Sequence, residues 1–172
     1  MPDSSAICAK LDDVYARIDA CRACALGTLA LNSGRRMRYK PGRLPVLVVA
    51  QNPSHRMKGD HVWGGLDLLF GGVEGVRELA EQLWVSNLVK CCTLQNRPPA
   101  PQNIMRCWHW LEEEVDAIRP AKIVALGKPA GEWLEESFDG IPVYHAKHPR
   151  YILFTPKEAG QYVERLRIAS SV

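Results

Sequence analysis

Apolar positions along this chain alternate between two rhythms. Leu11, Val14, Tyr15 and Ile18 fall at the spacing of one helical face, so Leu11 to Leu31 reads as a helix. Leu44 to Ala50 is instead a short unbroken Val-rich run, the pattern of a strand buried on both faces. Asp67 to Phe70 and Val76 to Gln82 read as helical, split by two glycines. A second buried strand is expected at Leu83 to Val89, interrupted by polar Ser86 and Asn87. Pro98 to Pro101 open a helix that carries Ile104, Cys107, Trp108, Leu111, Val115 and Ile118 before Pro120 stops it. Ala121 to Leu126 predicts a third strand, Pro129 to Glu136 a helix, Ile141 to Tyr144 a fourth strand and Pro156 to Ile168 a last helix. Strands alternating with helices predict an α/β fold: a three-layer αβα sandwich around a central, mainly parallel four-stranded sheet. Residues 1–172 fit one domain of ordinary size. In such sheets function collects beyond the carboxyl ends of the strands. Three polar turns are expected there: Gln51 to His55, Asn87 to Cys91 and His148 to Tyr151.

Composition narrows the class only slightly. Hydrophobic residues at 47% and charged residues at 24% are those of a folded globular chain. A net charge of +3 permits a nucleic-acid partner without demanding one. No run approaches ~18 apolar residues, so no membrane span is expected, and the acidic start lacks a secretory signal. The expected setting is cytoplasmic and the expected state monomeric.

Six cysteines then need an explanation. In a cytoplasmic chain they are metal ligands, redox groups or buried apolar residues rather than disulfides. Cys21 and Cys24 form a C-x2-C pair on the first helix, and Cys91 and Cys107 lie further on. Four such thiolates suit one tetrahedral zinc or a [4Fe–4S] cluster, and four buried unpaired cysteines are the alternative. Cys8 and Cys92 have no partner pattern and are assigned to packing.

Read in order, the motifs resemble the iron–sulfur uracil-DNA glycosylases, family 4 of the uracil-DNA glycosylase superfamily. The C-x2-C pair comes first. A Gly-Glu-x-Pro-Gly-like turn corresponds to Ala50-Gln-Asn-Pro-Ser54, and Pro-Phe-Val-Gly to His61-Val-Trp-Gly64. The segment Thr-Asn-Val-Val-Lys-Cys-x-Pro-x-x-Asn-Arg-x-Pro matches Ser86-Asn-Leu-Val-Lys-Cys-Cys-Thr-Leu-Gln-Asn-Arg-Pro-Pro99. Cys107 follows at the family's spacing, then Ile118-Arg-Pro120, Leu126-Gly127 and His148-Pro-Arg-Tyr-Ile-Leu153.

The resemblance implies a monofunctional enzyme that flips a base out of DNA and hydrolyses its N-glycosidic bond, as in base-excision repair. It implies a structural [4Fe–4S] cluster on Cys21, Cys24, Cys91 and Cys107. His148 would stabilise the departing base anion, and Asn87 would read the base's polar edge. The first turn departs from the family pattern, with Gln51 and Asn52 where a carboxylate is usual. An amide can orient water but cannot take its proton at neutral pH, so Asn52 is expected to position the nucleophile. Gln51, Val62 and Trp63 complete the expected base pocket. Val62 stands where the family has Phe, and the smaller wall suggests room for a 5-substituted pyrimidine.

Phosphate contacts are expected from Arg35, Arg36, Arg38 and Lys40, the densest basic run, and from His55, Arg97 and Arg150. Tyr151 or Ile152 would fill the gap left by the flipped base. Three other readings stay open at this level. One is a glycosylase for a hypermodified base in viral DNA, acting in antiviral defence. Another is a catalytically weak DNA-binding module, and the last a zinc-stabilised structural protein.

Overall fold

The computed structural model describes residues 4–28, 38–53, 81–135, 137–148 and 155–170. The helix expected at 67–70 lies outside them, as does all but the end of that at 76–82, where residues 81 and 82 are helical. Helix α1 spans Ser4–Ala20, strand β1 Val46–Ala50 and β2 Trp84–Asn87. A 3₁₀ turn at Leu94–Asn96 leads to α2, Pro101–Ile118. Then come β3 at Lys122–Leu126, α3 at Lys128–Leu134 and β4 at Val143–Ala146. Helix α4, Ala159–Ser170, follows a second 3₁₀ turn.

The four strands form one sheet in the order β2-β1-β3-β4, and every pairing is parallel. Side chains alternate across a strand, so the burial pattern reports on both faces. Leu47, Val49, Ile123 and Ala125 join Ile7, Leu11, Leu111, Val115 and Leu134 in one core. Val46, Val48 and Val124, on the opposite face, are buried as well. Helix α1 packs on α2, while α3 and α4 contact β3 and β4. These are the covered faces that the Val-rich runs predicted.

Two boundaries differ from expectation. Helix α1 starts seven residues before Leu11, adding Ile7 to the buried stripe, and stops at Ala20. The stripe runs out there because positions 22 and 25, which would continue it, are Arg and Ala. The Cys21 amide closes the helix end on Ile18 O at 3.0 Å. Cys21 and Cys24 therefore lie in the turn after the helix, not on it. Strand β4 sits two residues beyond the expected Ile141 to Tyr144, because an edge strand needs no continuous apolar run. Tyr144 and His145 within it are exposed.

The other edge is covered. Lys40 pairs antiparallel with Val85 through two 3.1 Å backbone hydrogen bonds. An unpaired edge would invite association with another chain. Nearby Gly42 approaches so closely that a Cβ would lie 2.4 Å from the Trp84 nitrogen, so only glycine fits.

Candidate functional site

From β1 the chain steps outward to β2 and later returns to β3 on the other side of β1. The carboxyl ends of β1 and β3 thus border the crevice at the point where strand order reverses, the usual ligand position in an open α/β sheet. Four sequence-predicted residues sit along this edge. Asn87 ends β2, Gln51 and Asn52 follow β1, and His148 lies two residues past β4. Three strand spacings separate the two ends, roughly 14 Å at ~4.8 Å each.

The backbone extends this edge past the strands. Leu88 N donates to Ala50 O at 2.8 Å, and Val89 N donates to Gln51 O at 3.1 Å. At the other end Gly127 N donates to Ala146 O at 2.7 Å. Gly127 has φ +83°, a conformation that glycine alone adopts readily, and a Cβ there would stand 3.4 Å from the His148 Cβ. His148 itself is exposed, whereas Asn87 is fully buried.

Asn52 is held by its neighbours. Gln51 Nε2 donates to its Oδ1 at 2.6 Å, and its Nδ2 donates to Pro53 O at 2.9 Å and Thr93 Oγ1 at 3.2 Å. Thr93 in turn donates to Arg97 O at 2.6 Å. Gln95 takes φ +55° in the tight turn that brings the Arg97 carbonyl back to Thr93.

Beneath Asn87 lies a buried polar network that the sequence reading missed. The Lys90 ammonium donates to Ser86 Oγ at 2.7 Å, Asn87 O at 2.7 Å and Glu114 Oε2 at 2.8 Å, and so uses all three hydrogens. Glu114 also accepts from Tyr15 Oη at 2.6 Å and from Ser86 Oγ. Lys90 and Glu114 are 1% and 0% exposed, so the ion pair is sealed from water. Burial, and then the Glu114 carboxylate, push the Tyr15 phenol well above its ordinary range and keep it a donor. A signal existed in the sequence: Glu114 falls three residues after Leu111 on the apolar face of α2, where a carboxylate needs partners.

The four predicted cysteines are brought together. Cys21, Cys24, Cys91 and Cys107 all line one recess with about 340 Å³ of empty space, partly open to solvent, between the turn after α1 and helix α2. Arg106 clasps the two walls by donating to Ala23 O at 3.2 Å. The Lys90 amide donates to Cys107 Sγ at 3.4 Å. Burial pushes the Cys107 thiol up, opposed by the Lys90 charge and amide, while Cys21 and Cys24 add to the rise. Among the described residues no group of three or more His, Cys, Asp or Glu side chains is arranged to hold a metal ion. Cys92 is buried in the core and Cys8 packs against it.

Of the expected DNA contacts, Arg38, Lys40 and Arg97 are described. Arg38 pairs with Asp19 at 3.0 Å, Lys40 is occupied through its backbone at the sheet edge, and the Arg97 side chain is exposed. Arg35, Arg36, His55, Val62, Trp63, Arg150, Tyr151 and Ile152 lie outside the described residues. No described helix is long and apolar enough to cross a membrane.

The uracil DNA glycosylase superfamily matches the chain over residues 36–167. The type-4 uracil-DNA glycosylase of Archaeoglobus fulgidus is 29% identical over 136 residues, 75% of this chain and 65% of that protein. The type-5 enzyme of Pyrobaculum aerophilum is 42% identical over a shorter stretch of 48 residues, 28% of this chain and 21% of that protein. The type-4 enzyme of Sulfurisphaera tokodaii is 23% identical over 128 residues, 72% of this chain and 57% of that protein. The chain thus spans less than two thirds of the length of these relatives.

Proposed function

Because this chain belongs to the uracil DNA glycosylase superfamily, we propose that it is a monofunctional DNA glycosylase. It flips uracil out of DNA and hydrolyses the bond between base and sugar, leaving an abasic site. The observation that carries this reading is the alignment of Asn87, Asn52 and His148 along the crevice edge of one sheet. Breaking the glycosidic bond leaves positive charge on the sugar and negative charge on the base. His148, at the far end of the edge, stabilises the base anion as it departs. Asn87 supplies one donor and one acceptor, the complement of uracil's O4 and N3–H. Asn87 is fully buried, and Lys90 holds its main-chain carbonyl from behind. Asn52 orients water without deprotonating it, so the rate depends on leaving-group stabilisation.

Cys21, Cys24, Cys91 and Cys107 would hold a [4Fe–4S] cluster, supported by the donor set around one recess. Bound there it would serve a structural role, the four cysteines tying the turn after α1 to the segment after β2 and to helix α2. Arg97, Arg38 and the basic run before it serve as phosphate contacts in DNA binding. The protein works in base-excision repair as a cytoplasmic monomer.

The test is a single-turnover assay on a uracil-containing oligonucleotide, single- and double-stranded, with abasic sites revealed by alkaline cleavage. Uracil release, abolished or strongly slowed in His148→Ala and slowed in Asn52→Ala, is expected. DNA binding without abasic sites would make this a binding module instead. Thymine and 5-substituted pyrimidines in the same panel report on the pocket wall. The purified protein should be brown, with thiolate-to-iron absorption near ~400 nm. A colourless protein with stoichiometric zinc would overturn the cluster.

A further inference from the structure

We propose that Thr93 is a positioning residue for Asn52: its hydroxyl, together with the Pro53 carbonyl, fixes the sense of the Asn52 amide, so that Asn52 meets water only as a hydrogen-bond acceptor. The water is taken from the glycosylase reading above; the orientation of the amide is not.

The hydrogen-bond chain through Thr93 has one fixed end. Arg97 O is a backbone carbonyl and can only accept. Thr93 has a single hydroxyl hydrogen and donates it there at 2.6 Å. The Thr93 oxygen can then only accept, and the group facing it at 3.2 Å must be the Asn52 NH₂. The second Nδ2 hydrogen goes to Pro53 O at 2.9 Å, another group that cannot donate. Both amide hydrogens are committed, and Oδ1, already taking Gln51 Nε2 at 2.6 Å, keeps one lone pair. That lone pair is the remaining hydrogen-bonding capacity of the side chain. A water bound through it gives up a hydrogen bond and keeps its own lone pair for attack.

A carboxylate presents the same atom whichever way it turns, so it needs no neighbour to set its sense. An amide presents either a donor or an acceptor. Asn52 is such an amide, and the Thr93 hydroxyl stands against its NH₂ at 3.2 Å. Thr93 is 5% exposed, so water does not substitute readily for its hydroxyl.

Thr93→Val removes the hydroxyl at nearly constant volume, and Thr93→Ser retains it. Single-turnover uracil release should fall about tenfold in Thr93→Val, with DNA affinity unchanged, and stay within about twofold of wild type in Thr93→Ser. In an Asn52→Ala background Thr93→Val should cost nothing further. A direct readout does not depend on activity: the Asn52 side-chain NH₂ signals in a ¹⁵N NMR spectrum, assigned by their loss in Asn52→Ala. They should shift and exchange faster in Thr93→Val and hold in Thr93→Ser. Unchanged NH₂ signals in Thr93→Val overturn the proposal, as does a rate loss that persists undiminished without Asn52. If the wild type releases no uracil, the glycosylase reading falls while the NMR comparison still decides the role of Thr93. Thr93→Ala provides a second hydroxyl-free variant should Thr93→Val fold poorly.

Discussion

Replacing Lys90 by methionine keeps most of the side chain's volume and removes its charge from a place water does not reach. Three donated hydrogen bonds go with it, to Ser86, Asn87 and Glu114. Glu114 keeps Tyr15 and Ser86 as donors but loses the Lys90 ammonium, and both partners of the pair are essentially unexposed. Breaking a buried pair from one side leaves an uncompensated charge and costs about 3–5 kcal/mol. A domain of this size is stable by only about 5–15 kcal/mol. Lys90→Met should therefore lower the midpoint of urea unfolding sharply and reduce Tm on the order of 10 °C. The decisive comparison is Lys90→Met with Glu114→Gln. The double variant carries no buried charge, and the glutamine oxygen can accept from Tyr15 while its NH₂ donates to Ser86 Oγ, so it should recover about 2 kcal/mol of the loss. A single variant costing below about 1 kcal/mol, or a double variant costing the sum of the singles, would refute the reasoning.

Two further outcomes follow from geometry described above. Gly127→Ala forces a side chain onto φ +83° beside His148, so stability should drop by about 1–3 kcal/mol and uracil release should slow more than DNA affinity weakens, as thermal melts and single-turnover rates can separate. On the surface, Arg17 binds Glu113 with both guanidinium nitrogens and holds that carboxyl below its ordinary value. A depressed carboxyl contributes stability above its unfolded pKa and loses it as pH falls through the folded one. Glu113→Gln should therefore flatten the stability profile below about pH 4.5, by less than about 1 kcal/mol because the pair is exposed.

Strands β1 to β3 were legible because a strand buried on both faces has to be an apolar run, and 46–50, 84–87 and 122–126 lie within the runs read from the sequence. Strand β4 slipped by two residues since one neighbour suffices for an edge strand, and Tyr144 and His145 face solvent. The four cysteines were legible as a set through their spacing and the family resemblance. That Cys21 and Cys24 follow the helix was not, because helix ends depend on local capping that spacing does not encode. Neither was the Thr93–Asn52 contact, which joins positions 41 apart by a single hydroxyl. Lys90 could be read only as one letter of a motif. Its burial follows from Glu114 and Tyr15, which tertiary folding alone brings near.

The parallel sheet also constrains how the molecule assembles. β1 pairs with β3 across 76 positions of chain and with β2 across 37, whereas β3 and β4 are 20 apart with α3 between them. Loop closure must precede the reward of such distant pairings, which makes folding slow and favours the local β3-α3-β4 unit as its earliest part. The turn at 21–24 meets Cys91 and Cys107 only after α1 docks on α2. The four thiols thus become a common site late, and until then the newly made chain exposes them separately to oxidation.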